Sequence, residues 1–184
     1  MQSSYLISIK RQFEYYKSLG DKTFTQISNE HFFWQVNEES NSIAIIAKHI
    51  AGNMLSRWTS FLTEDGEKSW RNRDEEFMNS FTTKEEVLEY WEKGWSCLFN
   101  AINSLSEEDL EKIVYIRNQG HTVIEAINRQ LCHYSYHVGQ LVFLGKMLQN
   151  KNWNSLSIPK NASKNYNTEK FSKEKSCKHF TEDL

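Results

Sequence analysis

Residues 121–148 read HTVIEAINRQLCHYSYHVGQLVFLGKML, and the way this stretch folds decides how the chain folds. Thr122-x-x-Glu125 is a capping box, in which a hydroxyl and a carboxylate each satisfy a free backbone N–H at a helix start. No strong breaker follows until about Gln149. The spacing therefore predicts a helix of about 28 residues, a rod of roughly 42 Å at ~1.5 Å per residue. Gly139 and Gly145 weaken it slightly, and each is a place where a neighbouring helix can come close. One face carries Gln130, His133, His137, Leu141, Leu144 and Leu148 at three-to-four spacing. The C-terminal half of that face is plain core. The N-terminal half puts two imidazoles and an amide in its place, and buried polar groups cost free energy unless each finds a partner.

Three more segments carry helical periodicity. The first runs from about Ser4 to Leu19 on Tyr5, Ile9, Phe13 and Tyr16, with Gly20 placed to close it. The second starts at Asn41 or Ser42, both good N-caps, and shows Ile43, Ile46, Ile50, Met54, Trp58 and Phe61 on one side. It ends before the turn signal Asp65-Gly66. The third starts at a capping box, Thr82-x-x-Glu85 or Thr83-x-x-Glu86, and continues through Val87, Trp91, Trp95, Leu98 and Ile102 to about Ser104. Between the second and third helices lies a charged, aperiodic connection of about 15–20 residues, a length that is usually functional or mobile. Val114-Tyr115-Ile116 reads as an extended connector. After Asn150 the periodicity stops, and Trp153, Leu156, Ile158 and Pro159 read as an irregular strap. The expectation is an all-α four-helix bundle in one domain, residues 1–166. The Lys-, Glu- and Ser-rich stretch 167–184 is expected to be poorly ordered.

Composition narrows the classes of function. Of 184 residues 39% are apolar and 25% charged, and the formal net charge is −2. A nucleic-acid binder needs enough Lys and Arg to neutralise several phosphates, and no such excess exists here. The longest apolar runs fall far below the roughly 20 residues that span a bilayer. The N-terminal MQSSYLISIKRQFEYYKSL lacks the apolar core of a signal peptide. Cys97, Cys132 and Cys177 are widely spaced with no CxxC, as expected of reduced thiols. These features together predict a cytoplasmic protein.

His133 and His137, four apart, stack on one helix face. Their separation suits two imidazole nitrogens meeting one metal at about 2.0–2.1 Å; two hydrogen-bonded core histidines are the plainer alternative. A metal would need a third ligand. His179 lies in the tail, His121 about three turns from the pair, and His31 in a connector. His49 sits mid-helix on the flank of the second helix's apolar arc, with Asn53 one turn on along the same polar line. Polar lines on different helices tend to face each other, so His49 is the best partner. Three histidines leave coordination positions open, unlike a closed structural zinc site. No Glu lies between His133 and His137, which argues against a zinc protease. The repeated Glu and ExxH ligands of a di-iron carboxylate bundle are also missing.

The stretches IAIIAKHIAGNMLSRWTSFLTEDGEKSWRNRDEEF (43–77) and HTVIEAINRQLCHYSYHVGQLVFLGKML (121–148) resemble the DinB-like (YfiT-like) metalloenzyme superfamily, over roughly residues 5–166. The resemblance implies helices in up-down-down-up order and a histidine triad at one end of the bundle, falling on His49, His133 and His137. It implies one divalent metal ion, with Zn or Ni favoured. Characterised relatives use low-molecular-weight thiols such as bacillithiol or mycothiol, and many form homodimers. The functional expectation is therefore a thiol S-transferase acting on electrophiles. A non-catalytic, stress-related metal- or ligand-binding protein is the alternative, and a metal-dependent hydrolase ranks last because no convincing carboxylate lies near the metal in sequence.

Other residues carry weaker expectations. Asn53, Gln130 and Gln140 could orient the imidazoles as outer partners. Arg57, Arg71 and Arg73 could bind carboxylates of a substrate, although a salt-bridge network pinning the long loop is the favoured reading. Cys132 reads as a small buried residue, and Tyr134 and Tyr136 as packing residues. The Trp-rich third helix reads as core.

Overall fold

The computed structural model describes residues 4–183. These residues are mostly helical: α1 (Ser4–Phe24), α2 (Asn29–Phe32), α3 (Ile43–Trp58), α4 (Lys84–Ser104), α5 (Val123–Gln149) and α6 (Ser163–Phe171). Side-chain caps fix three of the long starts. Ser42 Oγ accepts from Ile45 N–H at 3.2 Å, and Thr83 with Glu86 and Thr122 with Glu125 form complete capping boxes. A capping side chain of this kind is worth about 1 kcal/mol.

α1 packs against α4 and α5, and α3 against α4 and α5. α3 is buried almost all the way round, including Ser56 and Arg57, which marks it as the central helix. Phe13, Met54, Trp91, Trp95, Leu98 and Tyr134 are fully buried, each contributing about 1.5–3 kcal/mol by removal from water. Their rings meet edge-on, Phe13 with Trp58 at 6.1 Å and Trp91 with Trp95 at 5.4 Å between centroids. The Trp-rich helix is core, as its pattern predicts.

Several boundaries differ from the sequence reading, and each difference has a contact behind it. Gly20 does not end α1, which continues to Phe24. A Cβ at Gly20 would lie 2.7 Å from Trp91, so the glycine admits a neighbour's indole rather than stopping a helix. α3 stops at Trp58 and not near residue 64. On α5, Gly145 lies close to Thr23 and Trp153, whereas a Cβ at Gly139 would touch nothing within 4 Å; only the first marks a close approach.

The connector around Val114 is a strand. β1 (Ile113–Ile116) pairs antiparallel with β2 (Gln119–Thr122), with Ile116 opposite Gln119. The two turn residues, Arg117 and Asn118, have φ of 55° and 61°, the left-handed pair of a type I′ hairpin turn. Asp65 holds them there: its carboxylate accepts the N–H groups of Arg117 at 2.9 Å and Asn118 at 2.8 Å. Gly66 N–H donates to Tyr115 O at 2.8 Å, tying the long loop to the hairpin.

Beyond α5, Trp153 lies over Gly145, and Asn154 exchanges hydrogen bonds with Gln26 at 2.7 and 3.2 Å. The stretch expected to be poorly ordered carries most of α6, which buries no residue. Near its end Phe180 packs edge-on against Tyr15 and Glu182 pairs with Arg11. No helix among the described residues is long and apolar enough to cross a membrane.

Candidate metal centre

α3 and α5 pack side by side, and their contact brings His49 together with His133 and His137. His133 Nε2 lies 3.3 Å from His49 Nε2 and 3.1 Å from His137 Nε2. Three nitrogens bonded at about 2.0–2.1 Å to one ion, with angles between about 90° and 109°, stand roughly 2.9–3.4 Å apart. Two of the three separations fall in that range and all three nitrogens lie within 4.8 Å of one another, so the donor set could hold a single cation. The chemistry of the donors agrees. His49 Nδ1 donates to Glu76 Oε2 at 2.8 Å, and His137 Nδ1 donates to Gln140 Oε1 at 2.8 Å. With each ring's proton held on Nδ1, the Nε2 lone pairs of both rings point at His133.

Electrostatics keep the middle ring neutral. Burial drives the pKa of His133 down to about 3, helped by His137 and His49 and by the charges of Arg57 and Arg71. Burial also lowers His137, against a raising hydrogen bond from Gln140. Neutral imidazole is the metal-binding form, so neither ring has to give up a proton near neutral pH.

Glu76 is the residue that the sequence reading missed. It lies on a 3-10 turn, Asp74–Phe77, in the long loop, and is buried. Arg71 grips it with two bonds, Nε to Oε1 at 2.7 Å and a terminal nitrogen to Oε2 at 2.9 Å. Burial alone would push this carboxyl up, but the bonds from His49 and Arg71 outweigh it and hold it below the usual range. Gly52 makes the approach possible: a Cβ there would sit 2.7 Å from Glu76 Oε1. A glycine one turn from His49, inside a helix without other breakers, was the available signal. The expectation that no carboxylate approaches the triad is thus corrected, although this one is engaged by His49 and Arg71.

The remaining nominated residues divide. Gln140 bonds a triad ring as described. Asn53 accepts from the buried Tyr134 hydroxyl at 3.0 Å, which in turn accepts from Trp58 Nε1 at 3.1 Å. Gln130 is buried, with its Oε1 lacking a hydrogen-bond partner among the described residues. Arg57 and Arg71 are held by Glu67 at 3.0 and 3.1 Å, the loop-pinning network that the sequence favoured. Arg73 is exposed and lies over the Phe77 ring at 4.9 Å. Cys132, expected to be buried, is exposed, and so is Tyr136, whose ring meets His137 edge-on at 4.8 Å. The reason is a rotation of the helix face: the fully buried line of α5 runs Ile127, Tyr134, Val138 and Leu141. His133 and His137 flank that line instead of replacing it.

One open space borders the triad, and a second lies beside residues that contact His137. A cleft of about 220 Å³ is lined by His49, His133, Asn53, Gln130 and arginines. A groove of about 600 Å³ is lined by Tyr136 and Gln140, which both contact His137, and by Phe143, Met147, Val36 and others.

Fold and site together define a mostly helical protein in which three histidines from two packed helices could hold a metal ion. The chain belongs to the family described as "Protein of unknown function (DUF1572)", which matches residues 1–162. No curated protein and no solved structure matches the chain.

Proposed function

We propose that the protein is a cytoplasmic, metal-dependent S-transferase that moves a low-molecular-weight thiol onto electrophiles. On this reading His49, His133 and His137 hold one divalent ion, Zn or Ni by donor type, and the four long helices form a homodimeric DinB-like bundle in up-down-down-up order. The convergence of three Nε2 atoms at 3.1 and 3.3 Å carries the proposal, with the open cleft beside it. When bound, a divalent cation supplies Lewis acidity that favours a thiol's reactive thiolate form. Glu76 and Gln140 fix the imidazole tautomers, and the apolar groove receives the carbon skeleton of the electrophile. In the transfer an S–C bond forms, the thiol proton passes to solvent, and the leaving group departs with its electron pair.

One observation favours a second reading, a stress-related protein that binds a metal or ligand without chemistry. Among the described residues no Asp, Glu, Cys or Ser lines the cleft beside the triad, so once His49 and His133 hold a metal no further side chain there serves as base or nucleophile. The same observation weighs more heavily against a hydrolase, since Glu76 is engaged by His49 and Arg71.

Elemental analysis of the native protein and of His137→Ala tests the site. Stoichiometric metal that is lost in the variant is the expected result; equal metal in both overturns the assignment. Metal-loaded protein is then given cellular thiols and a panel of electrophiles. Thiol consumption is expected, and its absence across the panel leaves the binding protein as the reading.

A further inference from the structure

The cleft beside the triad has a one-sided charge. Arg57, Arg71, Arg73, Arg117 and Arg129 line it, and among the described residues no carboxylate does. The acids behind its wall are fewer than the arginines in front. Glu67 alone serves Arg57, Arg71 and Arg117, at 3.0, 3.1 and 3.4 Å. Glu76 serves Arg71 and is shared with His49. Asp74 stands 3.9 Å from Arg73. Arg129 contacts His121 Nε2 at 3.2 Å. With Asp65, whose carboxylate also interacts with Arg57, five guanidiniums meet four carboxylates. Arg129 is the one whose partner is no carboxylate, so positive charge stays in excess before any cation occupies the triad.

These arginines come from four separate segments: Arg57 from α3, Arg71 and Arg73 from the long loop, Arg117 from the hairpin turn and Arg129 from α5. Gathering like charges from so many places is unfavourable unless an anion sits among them. The buried pair is also fixed in position. Arg57 and Arg71 side chains are 7% and 3% exposed, so their orientation is set before a ligand arrives. Arg117 and Arg129 are exposed, and their contacts with Glu67 at 3.4 Å and His121 at 3.2 Å can be exchanged for a ligand's oxygens. Guanidinium forks match carboxylate and phosphate oxygens in geometry. At ~30 Å³ per water, the cleft has room for about seven waters, the size of a small oxyanion group and not of a polymer.

We infer that this cleft is a binding site for an oxyanion group, a carboxylate or a phosphate, carried by the small molecule that also reaches the triad. Arg117 and Arg129 are its gripping residues, beyond the three arginines that the sequence nominated. The anion site stands on the arginines alone. Only the link to the triad rests on the metal reading given above.

Isothermal titration calorimetry at low ionic strength tests both parts. Inorganic phosphate and succinate are titrated separately into the metal-free and the zinc-loaded full chain. The proteins are the wild type, Arg129→Ala, Arg117→Ala and, as a control removing the same charge beyond the far end of α5, Lys151→Ala. At least one anion is expected to bind the metal-free wild type. Each arginine variant should weaken that binding about tenfold, the loss of one charged contact of ~1.4 kcal/mol, while Lys151→Ala leaves it unchanged. Phosphate binding alone assigns a phosphate ligand, and succinate binding alone a carboxylate. Failure of both anions to bind, or equal weakening in Lys151→Ala, overturns the anion site. Zinc should tighten the anion further in the wild type. If zinc binds without changing anion affinity, the link to the triad falls. If zinc does not bind but the anion does, the metal reading fails and the cleft stands.

Discussion

Glu76 sits between two partners that need it for different reasons. Arg71, almost wholly buried, requires a counter-charge, and His49 requires an acceptor for its Nδ1 proton so that Nε2 stays open. Outer partners of this kind typically change metal affinity 10–100-fold. Glu76→Gln is therefore expected to lower zinc affinity by about that factor, measured by competition with a chromogenic chelator, with helicity checked by circular dichroism. Unaltered affinity in a folded variant counts against Glu76 as the positioning residue. The triad itself was largely legible in the sequence, because the i, i+4 pair and the polar flank of the second helix are local patterns. Glu76 was not legible. It lies in an aperiodic acidic run, and only the folding of a 25-residue loop (59–83) back onto α3 selects it from its neighbours Asp74 and Glu75.

At the scale of elements, the same substitution should have opposite signs on two helices. A Cβ at Gly94 of α4 would lie 2.7 Å from the Cα of Ala51 on α3, a backbone atom that can yield only if the helices part. Gly94→Ala is expected to cost about 1–3 kcal/mol through overpacking, more than the ~1 kcal/mol that better helix propensity returns. Gly139 of α5 has open space around its Cβ position. Gly139→Ala should therefore stabilise the protein by about 0.5–1 kcal/mol. Urea unfolding of both variants decides it; a shift of the same sign in both would refute the packing argument. The long helices were readable because caps and apolar spacing act locally. The hairpin was not, because Arg117-Asn118 lacks the usual Asn-Gly signal and takes its left-handed turn on the strength of Asp65, far away in the chain.

Across the whole molecule, acidic side chains are held by partners both distant and local in sequence, and this links global stability to pH. Glu67 connects α3, the long loop and the hairpin turn. Burial pushes its carboxyl up, but Arg57, Arg71 and Arg117 together hold it below the ordinary value. Asp65 is likewise lowered, against burial, by three backbone N–H groups. The Lys112 ammonium, with Ser106, takes Asp109 down to about 2. A carboxyl whose folded pKa lies below its unfolded one lends stability above the unfolded value, and that stability is lost as pH falls through the folded value. His133, lowered from 6.5 to about 3, has the same sign: the unfolded chain takes up its proton first. The metal-free protein is thus expected to lose stability from about pH 6.5 downward, and more steeply below about 4.5, as followed by the urea midpoint at pH 7.5, 5.5 and 3.5. Asp109→Asn should flatten the part between about pH 4 and 2. A midpoint constant from pH 7.5 to 3.5 would contradict this.

Helical spacing, capping boxes and the histidine pair are written in stretches shorter than a helix, so the sequence by itself determined that the chain is mostly helical and nominated His133 and His137 as a pair, with His49 added by its polar flank and by the family resemblance. Tertiary structure decided the rest. The loop's return over α3 supplied Glu76, and the convergence of four separate segments built the arginine-lined cleft. The packing of Tyr134 into the core turned α5 so that its histidines flank the buried line rather than form it. Each of these depends on contacts between residues tens of positions apart, whose energies no local pattern of side chains records.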